Sequence, residues 1–309
     1  MKKLIQLSIL SALFLVGACK ENEKQHNADA ETIEVVHELG TTQVKENPER
    51  VVVFDIGSLE TLDQLGVKIV GMPKDFLPEH LQKYAQDPSI ENVGSVKEAN
   101  YEKVNALNPD LIIISGRLQD AYKELSSIAP TIYMQVDNKD YLNSFEKNTL
   151  TLGKIFGKEK EAEEKVNHLK QEIQTEKDIL AKDDKKALIV LYNKGKFSAY
   201  GKGSRFGFIH DVLGVQQAAE NLDVATHGQP ISNEFIEHTN PDYLFIVDRS
   251  AMINHVDTNK KEIENALIQR TNAYKNGKVI YLNPQVWYIS GGGLTSTQMM
   301  VDDVKNALK

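Results

Sequence analysis

Cysteine is nearly absent: the 309 residues contain one, Cys19. A single cysteine excludes a disulfide framework and any cysteine-rich zinc or iron–sulfur site. Its place near the N-terminus also excludes a cysteine nucleophile in the folded body. Arginine is scarce too, with only Arg50, Arg117, Arg205, Arg249 and Arg270 among 36 basic residues. Those 36 face 44 Asp and Glu, a net charge of −8, which argues against broad, sequence-independent neutralisation of nucleic-acid phosphates. No Gly-x-Ser-x-Gly elbow and no His-Glu-x-x-His zinc motif occurs. What is present is globular: 41% hydrophobic and 26% charged residues, neither disordered nor multi-span membrane composition. The length exceeds that at which one core usually stays single, so two domains are expected.

Lys2 and Lys3 precede an apolar run from Leu4 to Val16, too short for a stable span but suited to a signal peptide. The run closes on Leu15-Val16-Gly17-Ala18-Cys19, which resembles a bacterial lipobox with Cys19 as the lipidated mature N-terminus. Cleavage there removes Lys2 and Lys3 and takes the net charge from −8 to −10. The following polar stretch reads as a tether. The expected organisation is a signal peptide at 1–18, a lipidated flexible tether at 19–34, an N-terminal lobe at 35–143, a linking helical segment at 144–184 and a C-terminal lobe at 185–309.

Beyond the tether, apolar strand-like runs alternate with amphipathic stretches, the pattern of an α/β protein. Val51–Phe54 and Leu111–Ser115 read as buried strands, and Ser58–Leu65 as a helix stopped by Gly66. Lys158–Lys182 contains no proline or glycine and sets Val166, Leu169, Ile173 and Leu180 on one stripe, which predicts a long continuous helix. Ala187–Tyr192 then restarts a strand pattern. Two segments repeat across this helix: Asn108-Pro109-Asp110 leads through six residues to Arg117, and Asn240-Pro241-Asp242 leads through six to Arg249. Each is a turn, a parallel-type strand and an arginine at its carboxyl end. Asp63-Gln64-Leu65-Gly66 and Asp211-Val212-Leu213-Gly214 also echo each other. The repetition favours two lobes of related architecture joined by the helix.

Arg117 and Arg249 fall where open α/β sheets place ligands. Arg205 lies in the glycine-rich segment Gly201–Gly207. Guanidinium stays charged and offers a planar set of donors, so three such groups from both lobes would make a cationic pocket in an acidic protein; ion pairs with Asp120 or Asp248 are the plainer alternative. His227 and Tyr288 sit in breaker-rich contexts, and an imidazole or phenolate is a plausible donor to Fe(III).

Taken together, Asn108–Arg117, Ser204–Gly207 with His210–Gly214, Thr226-His227-Gly228, Asn240–Arg249 and Trp287-Tyr288 resemble the substrate-binding lipoproteins of ferric catecholate-siderophore ABC importers, the enterochelin/petrobactin type. The resemblance runs from about Val35 to the C-terminus. The Gly291-Gly292-Gly293 run is richer in glycine than that family leads one to expect. The resemblance implies a class III periplasmic-binding-protein fold, two Rossmann-like lobes bridged by one long helix, with the ligand in the cleft. It implies that Arg117, Arg205 and Arg249 contact catecholate oxygens, and that His227 and Tyr288 complete the coordination of a tetradentate ferric bis-catecholate. It further implies a monomer, with no cofactor and no catalysis, held by lipid outside a bacterial membrane and docking on an ABC permease. Glu60, Asp63 and Asp211 are candidate docking carboxylates. A haem or cobalamin carrier is the alternative within binding proteins, since haem also accepts histidine or tyrosine; an extracytoplasmic hydrolase is the alternative from another class.

Overall fold

The structure is a computed structural model that describes residues 31–254 and 256–308. The expected signal peptide, Cys19 and most of the tether lie outside the described residues. Thr32–His37 and Gly40–Lys45 form an antiparallel hairpin whose Ile33, Val35 and Val44 are buried. The tether expected through residue 34 therefore gives way to strand at Thr32, because the alternating Ile33 and Val35 turn one face to the core.

Five strands make a wholly parallel sheet in the spatial order Glu91–Asn92, Gly71–Met72, Val51–Val53, Leu111–Ile114, Thr131–Tyr133. Every residue of Val51–Val53 and Leu111–Ile114 is fully buried, which is why these strands read as unbroken apolar runs rather than alternations. Chain order reverses between these two strands, so a crevice opens beyond their carboxyl ends. The helix expected at 58–65 occupies Ile56–Gln64. Its N-cap is Asp55, whose Oδ2 accepts from the Ser58 N–H at 2.8 Å and the Ser58 hydroxyl at 2.7 Å.

The second sheet runs Gln229–Ile231, Lys196–Tyr200, Lys186–Asn193, Tyr243–Asp248, Val279–Leu282, with Gln216–Gln217 pairing beside the start of Lys186–Asn193. Its last three strands in that order are mutually parallel. Lys196–Tyr200 is antiparallel because Lys194 and Gly195, both at positive φ (50° and 79°), close a two-residue hairpin. The order again reverses between Lys186–Asn193 and Tyr243–Asp248, producing a second crevice.

The Asn-Pro-Asp repeat has one structural meaning in both halves. Asn108 and Asn240 adopt the left-handed conformation (φ 46° and 45°) after the helices Tyr101–Ala106 and Asn233–Thr239. The proline cannot continue a helix. The aspartate then ties the new strand to its neighbour: Asp110 Oδ2 accepts from the Arg50 N–H at 3.1 Å, and Asp242 Oδ2 from the Lys186 N–H at 3.1 Å. Each strand then delivers an arginine just beyond its end.

The crossover is broader than one helix. Glu159–Leu180 is the long helix, 22 residues, or about 33 Å at 1.5 Å per residue. Its Val166, Leu169, Ile173 and Leu180 join the core under the C-terminal sheet. The preceding helix, Tyr141–Ile155, passes between cores: Tyr141 and Phe145 belong to the C-terminal one, Leu152 and Ile155 to the N-terminal one. The expected single link at 144–184 is thus two helices, separated at Gly157 (φ 60°). Gly153 lets them pack closely, since a Cβ there would lie 2.6 Å from Ala162 Cβ.

Candidate ligand site

Tyr288 lies on Gln285–Ile289, a single wide helical turn closed by the Ser290 N–H to the Gln285 carbonyl at 3.1 Å. The breaker-rich context predicts a loop; Pro284 and the following glycines instead flank this turn and do not fall within it. Beside it, Trp287 is buried and donates its indole N–H to Asp303 Oδ2 at 2.8 Å.

Three arginines meet at Tyr288. Arg117 Nη2 donates to the Tyr288 carbonyl at 2.6 Å and its Nη1 to the Ile289 carbonyl at 3.2 Å. Arg205 Nη2 donates to the same Tyr288 carbonyl, and its guanidinium carbon stands 4.1 Å from the centre of the Tyr288 ring. Arg249 Nε donates to the Tyr288 hydroxyl at 2.9 Å, while its Nη1 donates to Asn193 Oδ1 at 3.1 Å. Arg117 follows the strand Leu111–Ile114 and Arg249 follows Tyr243–Asp248, so each stands at one of the two crevices. The other two arginines do ordinary structural service. Arg50 Nε donates to the Leu107 carbonyl at 2.7 Å, and Arg270 pairs with Glu237 at 3.1 Å.

Among the described residues, no carboxylate oxygen lies within 4.0 Å of Arg117, Arg205 or Arg249. Asp248 instead caps the next helix, accepting from the Ala251 N–H at 3.0 Å. Two guanidinium groups sharing one carbonyl repel each other. Burial and the Arg205 charge both pull Arg117 below its ordinary pKa. Burial alone would raise the Tyr288 phenol, but the Arg249 hydrogen bond and the Arg205 and Arg249 charges bring it below the ordinary value. The arrangement is cationic, half-buried and able to stabilise either an anion or a phenolate.

The other residues singled out from the sequence are placed differently. His227 is exposed on the loop before the strand Gln229–Ile231, and its neighbour Gly228 lies against the Tyr200 ring. Glu60 is fully buried, not on a docking face. Its Oε1 meets His80 Nε2 at 2.9 Å and its Oε2 accepts from the Ser296 N–H at 2.9 Å. Nothing in an acidic position on a short helix announces this, because both partners come from elsewhere in the chain. Asp63 Oδ1 accepts from the Tyr84 hydroxyl at 2.7 Å and pairs with Lys83. Asp211 is exposed, and its Oδ2 accepts from the Gly203 N–H at 2.6 Å, bracing the glycine-rich loop that carries Arg205.

Asn193 and Tyr200 belong to this neighbourhood and were not singled out. Only their strand-end positions carried a signal. The Gly291-Gly292-Gly293 run also has a structural reason: a Cβ on Gly293 would lie 2.3 Å from the Gly57 carbonyl, and one on Gly57 would lie 2.7 Å from the Gly291 carbonyl. Backbone meets backbone there, between the first helix and the loop behind Tyr288.

Residues 51–286 match the family described as periplasmic binding protein. The chain belongs to that family. This periplasmic binding protein is 44% identical over 317 residues to the petrobactin-binding protein YclQ of Bacillus subtilis, covering all of both chains. It is 36% identical to the ferric-anguibactin-binding protein FatB of Vibrio anguillarum, covering 96% of this chain and 94% of that one. The solved structure of the siderophore-binding protein BauB, bound to two acinetobactin molecules and ferric iron, superposes with a TM-score of 0.84 at 40% identity, covering 90% of this chain and 99% of that one. The two sheets and their helical crossover are the class III architecture of the family.

Proposed function

We propose that the protein captures a ferric siderophore outside the cytoplasmic membrane and hands it to an ABC permease, acting by binding and not by catalysis. The observation that carries this reading is the meeting of three guanidinium groups at Tyr288, none of them in an ion pair with a carboxylate among the described residues. Such a cluster calls for an anion. A tris-catecholate around Fe(III) carries about three negative charges, and their attraction to guanidinium strengthens in a partly desolvated cleft. The relatives' names, petrobactin, anguibactin and acinetobactin, agree on ferric siderophores as the ligand class.

The finer reading is a catecholate, with Arg117, Arg205 and Arg249 on its oxygens. For a tetradentate bis-catecholate, four iron positions come from the ligand; Tyr288, its phenol favoured as phenolate by two arginines, and His227 on the exposed loop supply the other two. Anchoring through a lipid on Cys19 keeps the protein near its permease. Asp63 and Asp211 remain docking candidates, each with one carboxylate oxygen unused by a described partner.

The test is quenching of Trp287, the lone tryptophan, by ferric bis-catecholate, ferric tris-catecholate, ferric citrate and haemin. The expected result is saturable binding of ferric catecholates, with a charge-transfer band that weakens in Tyr288→Phe and His227→Ala. A band and an affinity unchanged in both variants would refute direct coordination. Haemin binding with a Soret shift, and no response to catecholates, would refute the function.

A further inference from the structure

Tyr200 ends the strand Lys196–Tyr200 and is only 2% exposed. Its ring packs on Phe206 with centroids 4.5 Å apart, directly beside Arg205. The hydroxyl-bearing end of the ring lies against Gly228: a Cβ on that residue would stand 2.7 Å from both Tyr200 Cζ and Cε2. Tyr200 therefore sits between the loop of His227 and the loop of Arg205. Its hydroxyl nevertheless makes no hydrogen bond among the described residues. Two other buried tyrosines have partners: the Tyr141 hydroxyl meets Thr297 Oγ1 at 2.8 Å, and the Tyr243 hydroxyl donates to Asp183 at 2.5 Å. The ring is buried, but the hydroxyl oxygen is not one of the enclosed unpaired atoms of the described residues, so it remains open to solvent and free to donate to a ligand.

We propose that Tyr200 is a further ligand-contacting residue, whose hydroxyl donates a hydrogen bond to an anionic oxygen of the bound ferric chelate. The proposal rests on the ferric-chelate reading above and extends it to a residue that no arginine or metal-donor argument selects. The surroundings suit that role. The charges the Tyr200 phenol senses are Arg205, Arg249 and the Tyr288 phenol, the groups that meet at the cleft. Burial outweighs the two arginines and pushes the phenol up to about 12, so at neutral pH it keeps its proton. Tyr200 is thus suited to donate its hydroxyl proton to ligand oxygen. A chelate presenting a hydrocarbon group at that point would leave the donor unpaired and bind more weakly.

Tyr200→Phe removes one oxygen and preserves the ring that packs on Phe206 and Gly228. The expected result, by Trp287 quenching with ferric bis-catecholate, is a loss of affinity of about tenfold. Meanwhile the melting temperature of the ligand-free variant stays level, because the deleted hydroxyl has no protein partner among the described residues, and the charge-transfer band keeps its position. Equal affinity in the variant and the parent would overturn the proposal while leaving the ferric-chelate function intact. A parallel fall in affinity and ligand-free stability would overturn it in favour of a packing role. Absence of binding by the parent protein would overturn both readings.

Discussion

Arg117 and Tyr288, 171 residues apart, are joined by a hydrogen bond of 2.6 Å from the guanidinium to the main-chain carbonyl. One comes from the parallel N-terminal sheet and the other from the turn beyond the last strand of the C-terminal sheet. The bond uses one arm of the planar fork, and a second arm reaches Ile289. With five donors on the group, Arg117 can hold the loop and still offer N–H groups to an anion. A cation that both shapes and charges the site should be poorly replaced by another cation.

Arg117→Lys keeps the charge and loses the fork. An ammonium cannot span both carbonyls in one plane, so the expected outcome is a fall in ferric-catecholate affinity of about 10- to 100-fold. Arg50→Lys, at an arginine before the strand Val51–Val53 whose guanidinium binds the Leu107 and Asn108 carbonyls, should leave affinity unchanged. Isothermal titration of both variants makes the comparison, and equal losses would remove the special role assigned to Arg117.

The junction behind Tyr288 should be intolerant of small additions. Gly293→Ala places a methyl 2.3 Å from the Gly57 carbonyl oxygen, a main-chain atom that cannot swing aside, and 2.5 Å from Glu60 Oε2. A loss of about 1–3 kcal/mol is expected, read as a lower urea midpoint. Glu60→Lys would bury an unmatched cation beside the Ser296 N–H and His80 and should cost more, about 3–5 kcal/mol. Impaired transport by such a variant would therefore report instability, not docking.

His210 gives the fold a pH dependence. It is buried, its Nδ1 lies 2.8 Å from the Val215 carbonyl, and burial drives its pKa down to about 4. The unfolded chain binds this proton near pH 6.5, so the contribution is complete above that value and is lost as pH falls from about 6.5 to 4. The full span corresponds to about 3 kcal/mol. Urea midpoints across this window should fall less steeply in His210→Gln than in the parent chain.

The repeat Asn-Pro-Asp, six residues, Arg shows how far local chemistry reaches. Left-handed asparagine, a proline that stops the helix, an aspartate that ties the next strand and an unbroken apolar run are all short-range preferences. Arginines 117 and 249 could therefore be placed at strand ends from residue types alone. The stripe of Val166, Leu169, Ile173 and Leu180 was legible for the same reason, since a helix of 3.6 residues per turn declares its buried face in its spacing. Asp55 as the N-cap was missed because Ser58 is as good a capping residue; the choice depends on where the preceding strand ends.

Residue type, period and turn chemistry were thus enough to decide the α/β class, the alternation of elements and which arginines stand apart from a lysine-covered surface. Tertiary structure alone decided that Arg117, Arg205 and Arg249 share Tyr288, that Glu60 is buried, that helix Tyr141–Ile155 carries the chain between cores, and that the Tyr200 hydroxyl finds no partner among the described residues. Each depends on groups far apart in sequence arriving at one place. Local preference acts over a turn or a strand, whereas burial and charge pairing are set only when distant segments pack.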